Sequence, residues 1–355
     1  MRSELLEKFC AGQEINIVEA MRRIDCNTRG ILFILDEDQK LVGSLSDGDI
    51  RRWLIKTGEL QANVAGIMNR NLKFRYAGGE DNALAYMRRQ EIRALPVIDS
   101  DHHIIRIIFD SDEPEKLLQG KNKKLQEVST VIMAGGEGTR LYPYTKILPK
   151  PLIPIGDVPI VERIINKFVN FGAVDFYITL NYKKGMIKSY FSDLSPDYSV
   201  KYVEEERPLG TAGSLKLISE KFEKPIFVTN CDILINADYA NIYKYHRESG
   251  NIMTIVTALK NIVVPYGVLK ARSQGIVTSM EEKPRLSYFV NTGMYVLNPE
   301  VISMIPEDKF FHMTDLADNL LKEGLQVGMY PVSEDSFLDM GEFEEMKRME
   351  EKLDL

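Results

Sequence analysis

Residues 131–151, VIMAGGEGTRLYPYTKILPKP, limit the possible folds of this chain more than any other stretch. Val131-Ile132-Met133 is an unbroken apolar run that stops at a glycine cluster, the pattern of a buried strand cut off by a turn. The loop Gly135-Gly136-Glu137-Gly138-Thr139-Arg140 follows. Its glycines allow the backbone to approach a ligand closely. Consecutive N–H groups turned to one side form a concavity that suits phosphate oxygens. Arg140 adds a planar fork and Lys150 a compact point charge, while Pro143, Pro149 and Pro151 stiffen the loop.

Three simpler explanations compete. A dinucleotide fingerprint needs a third glycine that Gly136-Glu137-Gly138-Thr139-Arg140-Leu141 lacks, and a P-loop needs a Gly-Lys-Ser/Thr that never arrives. An ordinary tight turn explains a bare GxG but not the longer string G-G-x-G-T-R-L-x-P-x-T-x-x-x-P-K-P. That string resembles the signature of the sugar-1-phosphate nucleotidylyltransferases. The resemblance implies Arg140 and Lys150 as catalytic residues. It also implies a nucleotide site at Ala134, Gly135, Gly136, Gly138 and Thr139.

From residue 127 onward, strand and helix patterns alternate. Helices are expected at 158–171, 184–191, 210–218 and 237–248, and strands at 174–180, 200–203, 225–229 and 252–258. This alternation predicts an α/β fold with a doubly wound, mostly parallel, Rossmann-like sheet. The last third reads as short strands at 267–270, 275–280, 293–297 and 327–330, with helices at 314–322 and 342–353. No hexapeptide repeat points to an appended β-helix.

Residues 1–120 read as a separate α+β unit with an internal repeat, and 121–126 as a polar linker before a domain at 127–355. The repeat runs helix (17–24), strand (30–35), turn, strand (41–45), then helix (81–89), strand (94–98), turn, strand (103–109). With GSLSDGDIRR after one strand and LPVID closing another, it resembles a tandem pair of CBS domains. Ser46 and Asp49 match that family's nucleotide-binding Ser/Thr-x-x-Asp, so a regulatory nucleotide is one reading. A helix cap, in a pair used only for packing and dimerisation, is the other. The second copy departs from the pattern at 109–114.

Composition sets outer limits. A length of 355 residues suits two domains. The formal charge of −7 argues against a nucleic-acid surface, so any phosphate site is local. Cys10, Cys26 and Cys231 show no metal or redox spacing, which predicts reduced thiols and a cytoplasmic setting. The segment MRSELLEKFC is too short in apolar residues for a signal peptide, and nothing approaches a membrane span.

Asp232 and Asp339 both follow apolar runs, and either could cap a turn. Two strand-end acids beside a phosphate loop favour Mg²⁺, and the family resemblance implies the same pair as its ligands. It also implies that Gly267, Glu282, Lys283, Asn291 and Thr292 bind the sugar phosphate. Cys231 stands where the family usually has glycine. The run Glu204-Glu205-Glu206-Arg207-Pro208 leads into L-G-T-A-G, which resembles the guanylyltransferase branch. Glu205 or Glu206 is then the expected reader of guanine, with Gly210 in the nucleotide site. The paired arginines read as solvated faces, Trp53 as packing, and the four histidines have no assigned role.

The resemblance as a whole implies transfer of a nucleotidyl group from an NTP, GTP favoured, to a sugar 1-phosphate. A CBS pair ahead of a short catalytic domain resembles bacterial enzymes that serve nonulosonic acids such as legionaminic acid. Glucosamine 1-phosphate is thus the expected acceptor and GDP-glucosamine the product. A homo-oligomer, dimer or higher, is expected. The alternatives are a catalytically inactive nucleotide-sugar sensor and a thymidylyl-, uridylyl- or cytidylyltransferase of the same fold.

Overall fold

The computed structural model describes residues 7–27, 29–79, 83–90, 92–109, 123–341 and 343–352. The chain divides into two compact units, 1–119 and 120–355. Of the CBS departure expected at 109–114 only Phe109 is described, and of the linker expected at 121–126 residues 123–126 are, with Lys123–Leu125 forming a single tight helical turn.

The first unit contains β1 (Cys10–Gly12), α1 (Ile17–Asn27), β2 (Ile31–Leu35), β3 (Leu41–Ser46) and α2 (Asp47–Thr57). These are followed by β4 (Arg75–Tyr76), α3 (Ala83–Gln90), β5 (Ala94–Ile98) and β6 (Ile104–Phe109). The repeat is visible in the pairing. In each three-stranded sheet the first strand runs parallel to the second and the second antiparallel to the third. Helix α2 starts at a reciprocal cap. Ser46 Oγ accepts from the Asp49 amide at 3.2 Å, and Asp49 accepts from the Ser46 amide at 2.8 Å and its hydroxyl at 2.6 Å. It ends at Gly58 (φ +68°), whose amide reaches Leu54 O at 2.8 Å.

The second unit is built on β7 (Thr130–Ala134). A short hairpin, β8 (Pro154–Ile155) and β9 (Val158–Pro159), precedes α4 (Ile160–Val169). That hairpin, turned at Gly156 (φ +63°), takes up Val158 and Pro159, so the helix expected from 158 starts two residues later. Then come β10 (Asp175–Leu180), α5 (Lys184–Leu194), β11 (Ser199–Glu204), one helical turn α6 (Gly210–Gly213) and β12 (Ile226–Asn230). The rest is β13 (Ile233–Ile235), α7 (Tyr239–Ser249), β14 (Met253–Val263), β15 (Gly267–Ala271), β16 (Val277–Glu282), β17 (Arg285–Leu297), α8 (Met313–Lys322), β18 (Val327–Val332), β19 (Phe337–Asp339) and α9 (Phe343–Lys352).

Seven strands form one sheet in the order β11-β10-β7-β12-β17-β14-β18. Only β17 runs against the others. The strand expected at 293–297 is the end of this 13-residue strand, because the Asn291-Thr292-Gly293 step is a bulge inside it and not its start. The Thr292 hydroxyl bonds Val256 O at 2.7 Å there, and Gly293 adopts φ +85°.

Alternation along β7 assigns the two cores. Ile132 and Ala134 join Ile164, Phe168 and Tyr239 from α4 and α7 on one face. Val131 and Met133 join Ala212, Met313, Leu316 and Leu320 from α6 and α8 on the other. Residues one apart on a strand face opposite sides, so an apolar run with no polar break needs a layer on each. This covered sheet fixes the strand ends from which the candidate site projects.

Candidate active site

The carboxyl ends of β7, β10, β11 and β12 release the four loops that meet at the site. The loop after β7 is exposed at Gly136 and Arg140 and half-buried at Gly135 and Gly138. Gly138 must be glycine. It sits at φ +67°, and a Cβ there would lie 2.9 Å from Thr145 Cγ2 and 3.1 Å from Lys150 Cβ. Its carbonyl accepts from the Thr145 hydroxyl at 2.9 Å and from the Leu141 amide at 3.0 Å, which folds Thr139–Leu141 into a tight turn. Residues after β10 pin the far side of the loop. Tyr182 donates to Thr145 O at 3.0 Å, and Lys183 to the carbonyls of Lys146 and Ile147 at 2.6 and 2.9 Å.

Lys150 stands between Pro149 and Pro151 at the start of another tight turn. Its stem packs under Gly138, leaving the residue 8% exposed, and its ammonium is hydrogen-bonded to the Asp232 carboxylate. Asp232 is equally buried, two residues past β12. Strands β13 and β19 then form a short antiparallel ladder pairing Ile233 with Asp339, and Met340 N donates to Asp232 O at 2.8 Å. That ladder, absent from the sequence expectations, brings together two acids more than a hundred residues apart in sequence. Burial raises the Asp339 pKa, and the nearby Asp232 charge raises it further. Lys150, the Gly341 amide and Arg140 oppose the rise. Arg140 Nη1 lies 3.2 Å from where a Gly341 Cβ would be, and Asp339 Oδ1 3.1 Å. Burial pushes the Cys231 thiol up to about 12, so the residue in the usual glycine position is an inert part of the core.

An open cleft of about 200 Å³ is lined by Arg140, Asn230, Asp232, Asn291, Thr292 and Asp339. Arg140, the acid pair and part of the expected sugar set thus share one concavity, and Lys150 adjoins it through its bond to Asp232. Asn291 is held by donation from its amide to the Tyr295 hydroxyl at 2.8 Å, and it accepts from Gly293 N at 2.9 Å. Thr292 is buried and its hydroxyl serves the bulge. Asn230 lines the cleft but was missed in the sequence reading. Its signal was available, since it ends β12 two residues before Asp232 and packs against Gly293. Gly267, Glu282 and Lys283 lie outside this lining, on the exposed β15–β16 hairpin. There Gly267 pairs with Glu282, and Lys283 adopts φ +48°.

The base-reading residues separate. Glu206 is exposed, but Glu205 is buried behind the glycine loop. One Glu205 carboxylate oxygen accepts from the Leu209 amide at 3.1 Å, and the other lies 2.6 Å from where a Gly135 Cβ would be. Its own amide donates to Leu180 O at 2.8 Å, and its carbonyl accepts from Asn181 at 3.1 Å. Burial raises its pKa, and the Leu209 amide partly offsets this. Glu205 therefore ties three strand ends together directly beside the glycine loop. Gly210 is likewise demanded by packing. It has φ +76°, and a Cβ would stand 2.6 Å from Phe311 O. The Phe311 carbonyl accepts from the amides of Ala212 and Gly213 at 2.9 and 3.1 Å, docking the whole turn on residues 309–312.

A covered α/β sheet with a glycine loop, a buried lysine–aspartate pair and a second aspartate at its strand ends defines a nucleotide-handling fold. Comparison with known proteins places it: residues 129–354 match the nucleotidyl transferase family, and the chain belongs to that family. Residues 6–56 match the CBS domain. A mannose-1-phosphate guanyltransferase of Debaryomyces hansenii is 34% identical over 184 residues, 49% of this chain and 51% of the relative. A UTP–glucose-1-phosphate uridylyltransferase of Synechocystis is 33% identical over 235 residues, 60% of each. The chain thus spans between half and three fifths of these relatives' length. The crystal structure of HddC from Yersinia pseudotuberculosis superposes with a TM-score of 0.51 at 27% identity, covering 64% of this chain and 99% of that one.

Proposed function

We propose that residues 127–355 join an NTP to a sugar 1-phosphate, releasing pyrophosphate and leaving an NDP-sugar. A sugar-phosphate oxygen forms the new bond to the α-phosphorus, and the bond to the bridging oxygen of the departing pyrophosphate breaks. The nucleophile is already an anion, so no general base is needed. The task is to bring two anions together and stabilise the charge that moves between them. The observation that carries this reading is the buried Lys150–Asp232 pair, set beside Asp339 beneath an open glycine loop. Lys150 meets the phosphates as a fixed charge held by Asp232. Arg140, exposed on the loop, is placed to fork onto phosphate oxygens.

Asp232 and Asp339 suit Mg²⁺. Two adjacent carboxylates, one with its pKa raised partly by the other, carry more negative charge than Lys150 alone offsets. Mg²⁺ commonly takes one or two carboxylates and completes its shell with water and substrate phosphates. When bound, Mg²⁺ supplies positive charge against the phosphates.

GTP is the favoured donor, supported by L-G-T-A-G and by the guanyltransferase relative, with Glu205 or Glu206 as the base reader. The uridylyltransferase relative makes UTP the rival. Glucosamine 1-phosphate is the favoured acceptor, giving GDP-glucosamine in a reducing cytoplasm. Gly267, Glu282, Lys283 and Asn291 would contact it. Pyrophosphate release, measured for each of GTP, UTP, dTTP, CTP and ATP against a panel of sugar 1-phosphates, tests the reading. No release with any pair would leave a binding protein.

We take residues 1–120 as a tandem CBS module, joined by 121–126. Ser46 and Asp49 already satisfy each other as a helix cap, and Asp49 also pairs with Arg52. A nucleotide phosphate would have to add to this cap at the helix N-terminus. Calorimetric titration of AMP and ATP into the full chain and into Asp49→Ala distinguishes the roles. Heat lost in the variant marks a regulatory site, whereas identical heats leave Asp49 as a cap.

A further inference from the structure

The segment between Ile262 and Tyr288 carries apolar surface that nothing in its own unit covers. Nineteen large hydrophobic residues are exposed among the described residues, and nine of them fall within these 27 positions. Their exposure runs from 40% at Leu286 to 74% at Tyr266. Every residue of β16, and every residue of β15 except half-buried Val268, is exposed. The two pair only with each other, so both outer edges of the ribbon are free. The neighbouring ends of β14 and β17 are also only two strands wide, because β18 stops beside Ala258 and β12 beside Met294.

The apolar side chains are ordered. Leu269 and Met280 are directly cross-strand, with Val277 further along the ribbon. Ile262 and Leu286 form a second cross-strand pair, with Tyr288 two positions along the same face. A two-stranded ribbon is marginal alone in water. Free edges with apolar faces are surfaces that soluble proteins normally cover. At roughly 80 Å² for each half-exposed large side chain, nine expose roughly 700 Å² in all, spread over both faces, since neighbours such as Ile262 and Val263 point to opposite sides.

We propose that this arm is a self-association surface, in which β16 pairs antiparallel with β16 of a second copy across a two-fold axis. The charges fit that occupant. A two-fold interface must be self-complementary. Glu281 and Glu282 lie at the base of the ribbon beside Lys283, Lys270 lies opposite Ser279 at its middle, and Arg272 lies at its tip. Antiparallel pairing centred near Ser279 brings each acidic base to the other copy's basic tip. The joined ribbons form four strands, with Met280 of each copy opposite Thr278 of the other and backed by its own Leu269. The arm also carries Gly267, Glu282 and Lys283. On the function proposed above, association would hold these residues in place for the sugar phosphate.

The test is the mass of the full chain by light scattering after size exclusion, for wild type and for Leu269→Lys/Met280→Lys. Both positions are exposed, so circular dichroism should show an unchanged fold. The variant should have half the wild-type mass. On the substrate reading, its KM for the sugar 1-phosphate should rise by about tenfold with kcat much less affected. The mass result stands even if no sugar phosphate is ever turned over. A monomeric wild type, or equal masses, overturns the proposal. A monomeric wild type that co-floats with anionic phospholipid vesicles would assign the patch to a membrane instead.

Discussion

Lys150→Ala should cost stability as well as turnover, and the two losses can be separated. A lysine on a proline-rich loop would ordinarily bury little. Here both Lys150 and Asp232 are only 8% exposed, and the ammonium bonds the carboxylate directly. Removing one partner of such a pair leaves the other charge buried, which typically costs about 3–5 kcal/mol. Asp339 makes the orphaned Asp232 worse off, because its nearest neighbour on the β13–β19 ladder is another acid. Removing both charges is far less harmful, so Lys150→Ala/Asp232→Asn should be no less stable than Lys150→Ala. The cycle should therefore show a coupling of about 2 kcal/mol or more. Urea unfolding followed by near-UV circular dichroism measures it, since fourteen of the sixteen tyrosines lie in the second unit. The single tryptophan, Trp53, belongs to the first unit, and its fluorescence transition should not move. Additivity of the single variants within about 0.5 kcal/mol would refute the buried-pair argument. Turnover of folded Lys150→Ala should fall about 100-fold or more, the scale of losing one preorganised charge donor. Near-normal turnover would remove Lys150 from the chemistry.

Asp232→Asn and Asp339→Asn should each abolish Mg²⁺-dependent pyrophosphate release while keeping side-chain shape, and an unchanged Mg²⁺ titration in either would make that residue structural. GTP should exceed UTP and dTTP in kcat/KM, and equal values would sink the base assignment. His246 is buried, bonded to Thr254 Oγ1 at 2.8 Å and Asn298 Oδ1 at 3.0 Å, and burial lowers its pKa. A lowered histidine pKa means the unfolded chain takes up the proton first, so this stability is present above about pH 6.5 and lost as pH falls. Urea midpoints should drop from pH 7 to 5 in wild type, and a parallel drop in His246→Gln would exclude this histidine as a source. Gly210→Ala meets both a positive φ and the Phe311 carbonyl. It should raise KM for the NTP by moving the turn, and an unaltered KM would detach that turn from the nucleotide.

Much of the fold was legible because its signals are local. The apolar run of β7 and the helix α8 fell close to their expected places, since burial on both faces and helical spacing are written in adjacent residues. The repeat of the first unit was legible for the same reason and reappears as two sheets of identical pairing pattern. What failed was non-local. The helix expected at 158 began later because a hairpin used Pro159, and the strand expected at 293 was the far end of a strand begun at Arg285. A bulge held by Thr292 on Val256 cannot be seen from Asn-Thr-Gly alone, which reads as a turn.

The site divides along the same line. Glycines and charges that a motif places next to one another could be found, and Lys150, Asp232 and Asp339 do converge. Motif position, however, says nothing about which way a carboxylate faces. Glu205 and Glu206 are adjacent in sequence at the end of β11, where continued strand alternation sends one inward and the other out. The inward one meets Gly135 and the Leu209 amide, so the glycine that invites a phosphate also makes room for the acid behind it. A side chain at Gly135 would therefore displace Glu205 and loosen its link to Leu209. The loop needs glycine there for its support as much as for its ligand, and no reading of the loop in isolation separates the two demands.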